Sequence, residues 1–373
     1  MIASFLLSIG VVYALFIFLS WLGWKMTKSF SQERHAFETR VSIIVPARNE
    51  EESILHCLNA IAQQSYPKNL TEVIVSDDTS EDRTVTLVKD WIASHPLNVK
   101  IISSSGNMPG KKHALNEGIK NATGELIVTT DADCTMNSEW LPAIVSYYEK
   151  YSPAMICGMA AIREENNLLS AFQSLEQHGL TAIGVAGIYF RQPLLCNGAN
   201  LAYQKKIFEE TGGYNPSIEA ASGDDTLLMF RIAKQNPRKV HFLKSKEAIV
   251  YTNPASTAGD FFNQRKRWGS KVLKQKNVAS ALAGLIVFLF HASLVVSFFL
   301  SSIGELNWHV SILLLGLKII PEILLMNAML SFTSKKNLWQ YVLLSQLIYP
   351  VYLVVTAFLS QTGKYVWKRR TVR

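Results

Sequence analysis

Residues 2–24 form an uncharged apolar run, and three more such stretches, at about 278–301, 308–331 and 338–360, follow a long polar middle. Each is long enough to cross the hydrocarbon core of a bilayer as a helix. The chain is therefore expected to carry membrane helices at both ends of one polar domain. Trp21 and Trp24 lie at the exit of the first run, with Lys25 and Lys28 just beyond, which predicts an anchor whose C-terminal end faces inward. The run is longer than a secretory signal and lacks a small-residue cleavage pattern, so it is expected to be retained. In the third run Lys318 and Glu322 stand four apart around Pro321, placing opposite charges on one helical face. Such a pair at membrane depth reads as a functional feature or as the internal pairing of a kinked helix. Two topologies fit. Three crossings after the polar domain place Lys335 and Lys336 inside but the tail GKYVWKRRTVR outside, against the positive-inside rule. A re-entrant or interfacial middle segment returns the tail inside.

Charge narrows the partners. The formal charge of +8 is gathered at Lys25 and Lys28, at 264–276 and at the C-terminus, always beside hydrophobic segments. That distribution points to anionic lipid headgroups and away from nucleic acid. Cys57, Cys134, Cys157 and Cys196 are far apart with no C-x-x-C pair, so neither a zinc site nor a disulfide framework is expected.

Between Arg40 and Asn253 the pattern alternates. Short apolar runs at 41–46, 73–77, 99–103 and 125–130 are separated by helix-like stretches at 50–64, 81–94 and 111–121. Alternation of this kind predicts a parallel sheet covered on both faces, with ligands held beyond the C-terminal strand ends. Polar clusters stand at three of those ends: PARNEEES at 46–53, SDDTSEDRT at 76–84 and TDADC at 130–134. Asp131 and Asp133, spaced D-x-D with no basic residue between them, suit a hard Mg²⁺ or Mn²⁺ ion that completes its shell with phosphate and water. D-x-D alone also marks ordinary surface turns. Asp77 and Asp78 supply carboxylates able to accept the N3–H of uracil and repelled by the N3 lone pair of cytosine, which favours uridine and leaves guanine open.

The order VSIIVPARNEEES, VIVSDDTSEDRT, GKKHALNEGI, DAD, GANLAYQKKIFEETGGY, GDD and QRKRW resembles family 2 glycosyltransferases, in the membrane-bound branch that includes cellulose, chitin and hyaluronan synthases. The resemblance covers about residues 40–275. It implies an α/β GT-A fold flanked by transmembrane helices, a nucleotide-sugar donor, a divalent metal, and inversion at the anomeric carbon. Carried over residue by residue, it implies that Pro46, Ala47, Arg48 and Glu50 lie under the nucleotide, that Asp77 and Asp78 read the base, and that Lys111 contacts the donor. Asp131 would lie near ribose and phosphate, and Asp133 on the metal. Asp225 would be the general base, preceded by Asp224 where Glu is usual. Gln264 and Arg267 would lie near the diphosphate, with Trp268 stacked on the acceptor sugar.

The chemistry is consistent with these roles. An acceptor hydroxyl attacking opposite a departing nucleoside diphosphate needs a carboxylate to take its proton, and Asp225 opens a helix-like run whose N-terminal dipole favours the ionised form. The segment TAGDFFNQRKRWGSKVLKQK also reads as an amphipathic interfacial helix, with Phe261, Phe262, Trp268 and Leu273 opposed to basic residues. His113, His178 and His241 are isolated and read as structural. NGAN at 197–200 reads as backbone brought close to the acceptor, or as a plain turn.

The expected division is a transmembrane helix at 1–24, a juxtamembrane linker at 25–39, a cytosolic GT-A domain at 40–256, an interfacial segment at 257–276, a membrane region of about three segments at 277–361, and a basic tail at 362–373. The expected activity is β-linkage formation from a UDP-sugar onto a growing polysaccharide or membrane glycan. The alternatives are a lipid acceptor (a sphingolipid, diacylglycerol or polyprenyl compound), a non-catalytic nucleotide-sugar-sensing scaffold, and a nucleotidyltransferase of similar sheet architecture. Membrane lipids are expected partners, a homo-oligomer is compatible with the few membrane segments, and the plasma (inner) membrane is the expected location.

Overall fold

The computed structural model describes residues 1–32, 36–103, 110–163, 167–214, 224–272, 277–360, 365–367 and 370–372. The chain opens with helix α1 (Ile2–Met26), then alternates β1 (Val41–Ala47), α2 (Ile54–Ala62), β2 (Thr71–Asp77), α3 (Thr84–Ser94), β3 (Val99–Ser103), α4 (Lys111–Lys120) and β4 (Leu126–Thr129). These are the expected elements, with helix starts set back a few residues where the loops take up polar residues. There follow β5 (Thr135–Met136), α5 (Trp140–Tyr151), β6 (Met155–Cys157), β7 (Ala160–Ile162), α6 (Leu168–Tyr189), β8 (Leu201–Gln204), α7 (Lys205–Glu210), α8 (Asp224–Gln235), β9 (Val240–Phe242) and β10 (Val250–Thr252). The chain then runs through α9 (Ala258–Val272), α10 (Val278–Ser302), α11 (Trp308–Phe332) and α12 (Trp339–Ser360), and ends in an antiparallel pair, β11 (Tyr365–Trp367) and β12 (Arg370–Val372).

The main sheet has the order β3-β2-β1-β4-β8-β6-β9. Its first four strands are parallel, as the alternation predicts, and are buried apolar runs apart from β3 at the edge. The wholly parallel expectation is corrected beyond β4, because β8 runs antiparallel to both β4 and β6. That reversal positions the site. Leu201, the first residue of β8, pairs with Thr129, the last of β4, so the 197–200 loop arrives at the C-terminal strand ends. Ala47 and Asp77 are paired at that same edge.

α6, which the sequence reading leaves unassigned, runs for 22 residues between the sheet domain and the apolar helices. Its Ala186 packs on Gly23 of α1 so closely that a β-carbon at Gly23 would lie 2.6 Å from the Ala186 Cα. Lys244 Nζ donates to the carbonyls of Trp24 (2.7 Å) and Thr27 (3.0 Å), closing the C-terminal end of α1. α1 is thus packed directly against the rest of the chain at its C-terminal end.

α1, α10, α11 and the stretch Lys336–Ser360 are each long and apolar enough to cross a membrane. Their outward faces leave large apolar side chains exposed, including Phe5, Leu15, Leu285, Phe299, Ile320 and Phe358. Pro321 sits inside α11, which continues through it as a single helix. Lys318 and Glu322 pair at 2.9 Å, with Lys318 fully buried. Tyr13 of α1 donates to Glu322 at 2.5 Å, and Gln346 of α12 accepts from Lys318. The charged pair therefore ties three apolar helices together. Lys318→Met leaves the Glu322 carboxylate without its cation and is expected to cost about 3–5 kcal/mol. Thermal unfolding in detergent measures this, and partial recovery is expected when Glu322→Gln is added.

Candidate active site

The three polar strand ends open into one crevice of about 1440 Å³. Its lining includes Pro46, Ala47, Arg48, Glu50, Asp78, Lys111, Asp131, Asp133, Asp225, Gln264, Arg267 and Trp268. Asp77 is not in the lining: it is buried, and its carboxylate accepts the Ser80 N–H at 3.2 and 3.3 Å, closing its own turn. The side chain of Asp224 lies outside the described residues, as do Leu273 and half of the tail.

Arg48 is 3% exposed and acts on the protein's own loop. Its guanidinium donates to the carbonyls of Asp78 (2.5 Å) and Thr79 (3.0 Å), and it pairs with Glu81 at 3.2 Å. The β2 loop that carries Asp78 is thereby fixed to the β1 loop. Asp78 Oδ1 in turn accepts the Gly110 N–H at 2.8 Å, which brings the start of α4 to the crevice.

Because α4 begins at Lys111, that side chain reaches across to Asp131, with Nζ 2.5 Å from Oδ1. The D-x-D pair, expected to lack a neutralising partner, is thus corrected to half neutralised by a lysine 20 residues upstream. Burial works against the charge of Lys111, but Asp131 and then Asp225 outweigh it and raise its pKa. Asp133 is met instead by neutral groups. Burial, and next the neighbouring Asp131 charge, raise its pKa, opposed by Lys111, Cys134 and Thr252. Thr252 of β10 donates to Asp133 Oδ2 at 3.2 Å.

Among the described residues no three His, Cys, Asp or Glu side chains gather as a ready-made metal cage. Two hard carboxylates on one crevice wall, the second held against its neighbour's charge, fit a divalent cation that takes its other oxygens from a ligand.

Asp225 stands in the first turn of α8, facing the 197–200 loop. Burial raises its pKa, and Asp131 adds to this, against the Thr226 N–H, Lys111 and the Gly198 N–H. Desolvation thus prevails over the stabilisation that the helix end was expected to give. Gly198 lets the loop approach closely: a β-carbon would lie 3.0 Å from Asp225 Oδ2. The Gly198 carbonyl is held by Thr129 Oγ1 at 3.0 Å, while Asn200 is used up internally by Trp140, Met159 and Ala248. NGAN is therefore a close-approach loop of which only the first part faces the crevice.

Within the segment expected to be interfacial, two side chains of α9 are buried against the protein. Phe261 is 2% exposed, packed on Phe172 of α6 and Tyr352 of α12, and Arg265 is 4% exposed, paired with Glu176 of α6 at 2.5 Å. Sequence reading also missed the α6 wall: Gln173, Gln177, Leu180, Thr181, Gly184, Val185 and Ile188 line the crevice at helical spacing. The signal available was Asn167, whose side chain caps Ser170 N at 2.8 Å, followed by that periodic stripe. His178 joins Ser174 to Thr333 and His241 contacts Tyr147, as structural histidines do.

The glycosyl transferase family 2 model matches residues 42–212. The probable glycosyltransferase YdaM of Bacillus subtilis is 27% identical over 61% of this chain and 54% of its own length. The poly(ribitol-phosphate) β-N-acetylglucosaminyltransferase TarS of Staphylococcus aureus is 27% identical over 56% of this chain and 34% of its own. The chain thus spans about half, or less, of these relatives. Among solved structures, the mannosyltransferase PcManGT of Pyrobaculum calidifontis, in complex with GDP-Man and Mn²⁺, aligns with a TM-score of 0.62 at 19% identity, covering 96% of this chain and 98% of that one. The likeness gives the fold: a GT-A-like α/β domain with apolar helices at the N-terminus and the C-terminal end.

Proposed function

We propose that this protein, whose residues 42–212 match the glycosyl transferase family 2 model, is a metal-dependent inverting enzyme that moves a sugar from a UDP-sugar to a glycan acceptor at a membrane, forming a β-linkage. The observation that carries the reading is that Asp131, Asp133 and Asp225 line one crevice, with Lys111 bridging toward Asp131. Asp133 and Asp131 would hold Mg²⁺ or Mn²⁺, which supplies charge stabilisation to the leaving diphosphate when bound. Lys111 would orient Asp131 and meet the donor phosphates, and Arg267 would stabilise the same charge from the α9 side. Asp78, fixed by Gly110 and by the Arg48 clamp on its loop, would accept from the uracil N3–H. Asp225 would take the acceptor hydroxyl proton as that oxygen attacks, its raised pKa giving it more basicity than an ordinary aspartate.

A polymer acceptor has support from TarS, whose name specifies poly(ribitol phosphate). The crevice itself favours a second reading. Along α6 its wall passes from Gln173 and Gln177 to Leu180, Val185 and Ile188, and then to Leu195. The neighbouring Leu194 carbonyl accepts from Ser280 at the start of α10 (2.7 Å), where Val278, Leu282 and Leu285 are exposed. A wall that turns from polar to apolar residues and continues beside the apolar helices suits a lipid-linked acceptor. The catalytic domain would lie on the cytosolic side of the plasma (inner) membrane, following Lys25 and Lys28.

Incorporation of label from UDP-sugars into membranes bearing the protein tests the reading. A ladder of products is expected for a polymer acceptor and one organic-extractable product for a lipid. An α-configured new linkage from an α-linked donor would contradict inversion.

A further inference from the structure

Arg265 is the one arginine of QRKRW for which the sequence reading gave no role, and it is enclosed on every side that can be traced. Its guanidinium carbon lies 4.4 Å from the Phe261 ring centre, one turn earlier on α9, and 4.2 Å from that of Trp268, one turn later. Nη1 donates to the Gln264 side-chain carbonyl, and Nε donates to Glu176 Oε2 at 2.6 Å. The other oxygen of Glu176 accepts the Tyr352 hydroxyl of α12 at 2.9 Å. A planar cation can stack on an indole face and make in-plane hydrogen bonds at once, which an ammonium cannot.

We propose that Arg265 is the positioning residue of the acceptor side of the crevice, holding Gln264 and Trp268 in place and itself aimed by Glu176 and, through it, by Tyr352 of the last membrane helix. The inference rests on the glycosyltransferase reading above and deepens it. Two of the three residues expected to meet the acceptor and diphosphate are in direct contact with this one side chain. Both carboxylate oxygens of its partner are engaged, one by α9 and one by α12, so the orientation of the guanidinium depends on the packing of α6, α9 and α12 together. Arg265 is remote in role from Asp78, Lys111 and Asp133, whose contacts come from other elements. Its loss is therefore expected to affect acceptor use far more than donor binding, to which it is linked through Gln264.

The test uses the full chain, with three variants. Arg265→Lys keeps the charge and loses the stack, Glu176→Gln weakens the aim, and Tyr352→Phe removes one hydroxyl outside the crevice. UDP with Mn²⁺ is the donor-side probe, titrated calorimetrically on detergent-purified protein. Label transfer from the UDP-sugar that wild-type membranes use is the acceptor-side readout. Arg265→Lys and Glu176→Gln are expected to lower transfer by about tenfold to a hundredfold, the scale on which misplacement of a reacting partner by about an ångström acts, and Tyr352→Phe by less. UDP affinity is expected to stay within about twofold of wild type in all three. A separate readout does not depend on turnover. In 5-fluorotryptophan protein the Trp268 resonance, assigned by its disappearance in Trp268→Phe, is expected to shift in Arg265→Lys while those of the other tryptophans hold. Parallel loss of UDP affinity and transfer, in Tyr352→Phe as well, would make the network merely structural and overturn the proposal. Full transfer in Arg265→Lys from active wild-type membranes would overturn it alone, whereas wild-type membranes inactive with every donor would instead sink the glycosyltransferase reading.

Discussion

Asp225→Asn is expected to lower sugar transfer by about a hundredfold to ten-thousandfold, the usual contribution of a positioned general base, while UDP affinity stays within about twofold. The substitution keeps the size of the side chain beside Gly198, where a β-carbon would lie only 3.0 Å from Asp225 Oδ2, so the loop it packs against is not disturbed. What it removes is the basic oxygen. Burial first, then the Asp131 charge, hold the Asp225 pKa above the ordinary aspartate value. A base works only when deprotonated, so wild-type transfer is expected to fall as pH drops through that raised pKa, at a higher pH than an unperturbed aspartate would give. A pH–rate profile of wild-type membranes checks the sign, and unchanged turnover in Asp225→Asn would remove Asp225 from the role of base.

Asp133→Ala is expected to abolish the metal dependence of donor binding. Of the two D-x-D carboxylates, Asp131 already has a cation in Lys111 at 2.5 Å, whereas Asp133 accepts from the neutral Thr252 and Cys134 groups. Burial, followed by repulsion from Asp131, raises the Asp133 pKa, and a bound divalent ion relieves both effects. Titrating Mn²⁺ into protein and UDP should therefore strengthen binding in wild type and leave Asp133→Ala unchanged. Undiminished Mn²⁺ enhancement in the variant would move the metal elsewhere. Asp131→Asn is a weaker probe, because freeing Lys111 alters the charge of the crevice in the same step.

What was legible in the sequence followed from periodicity and from strand ends. The buried runs of β1, β2 and β4 and the polar clusters after them follow directly from a sheet covered on both faces, and their convergence follows from parallel pairing. The four apolar helices were equally plain from length and lack of charge. What escaped depended on contacts distant in sequence. No local pattern distinguishes a basic residue facing headgroups from Arg265 buried against Glu176, 89 positions earlier, and Arg265 was accordingly counted with the basic face of an interfacial helix. Nor does spacing reveal that Lys111 reaches Asp131, that Asp77 turns inward onto Ser80, or that β8 reverses direction to deliver Gly198 to Asp225. Long-range pairing of polar groups was thus the part of the site that the fold alone disclosed.

The most direct measurement is release of nucleoside diphosphate from a panel of UDP-, GDP- and CDP-sugars, with and without chelator, by membranes carrying wild-type or Asp225→Asn protein. The account predicts release by wild type alone, from a UDP-sugar, lost on chelation and restored by Mg²⁺ or Mn²⁺. Release that persists in chelator or in Asp225→Asn, or none from any donor with native lipids supplied, would contradict it.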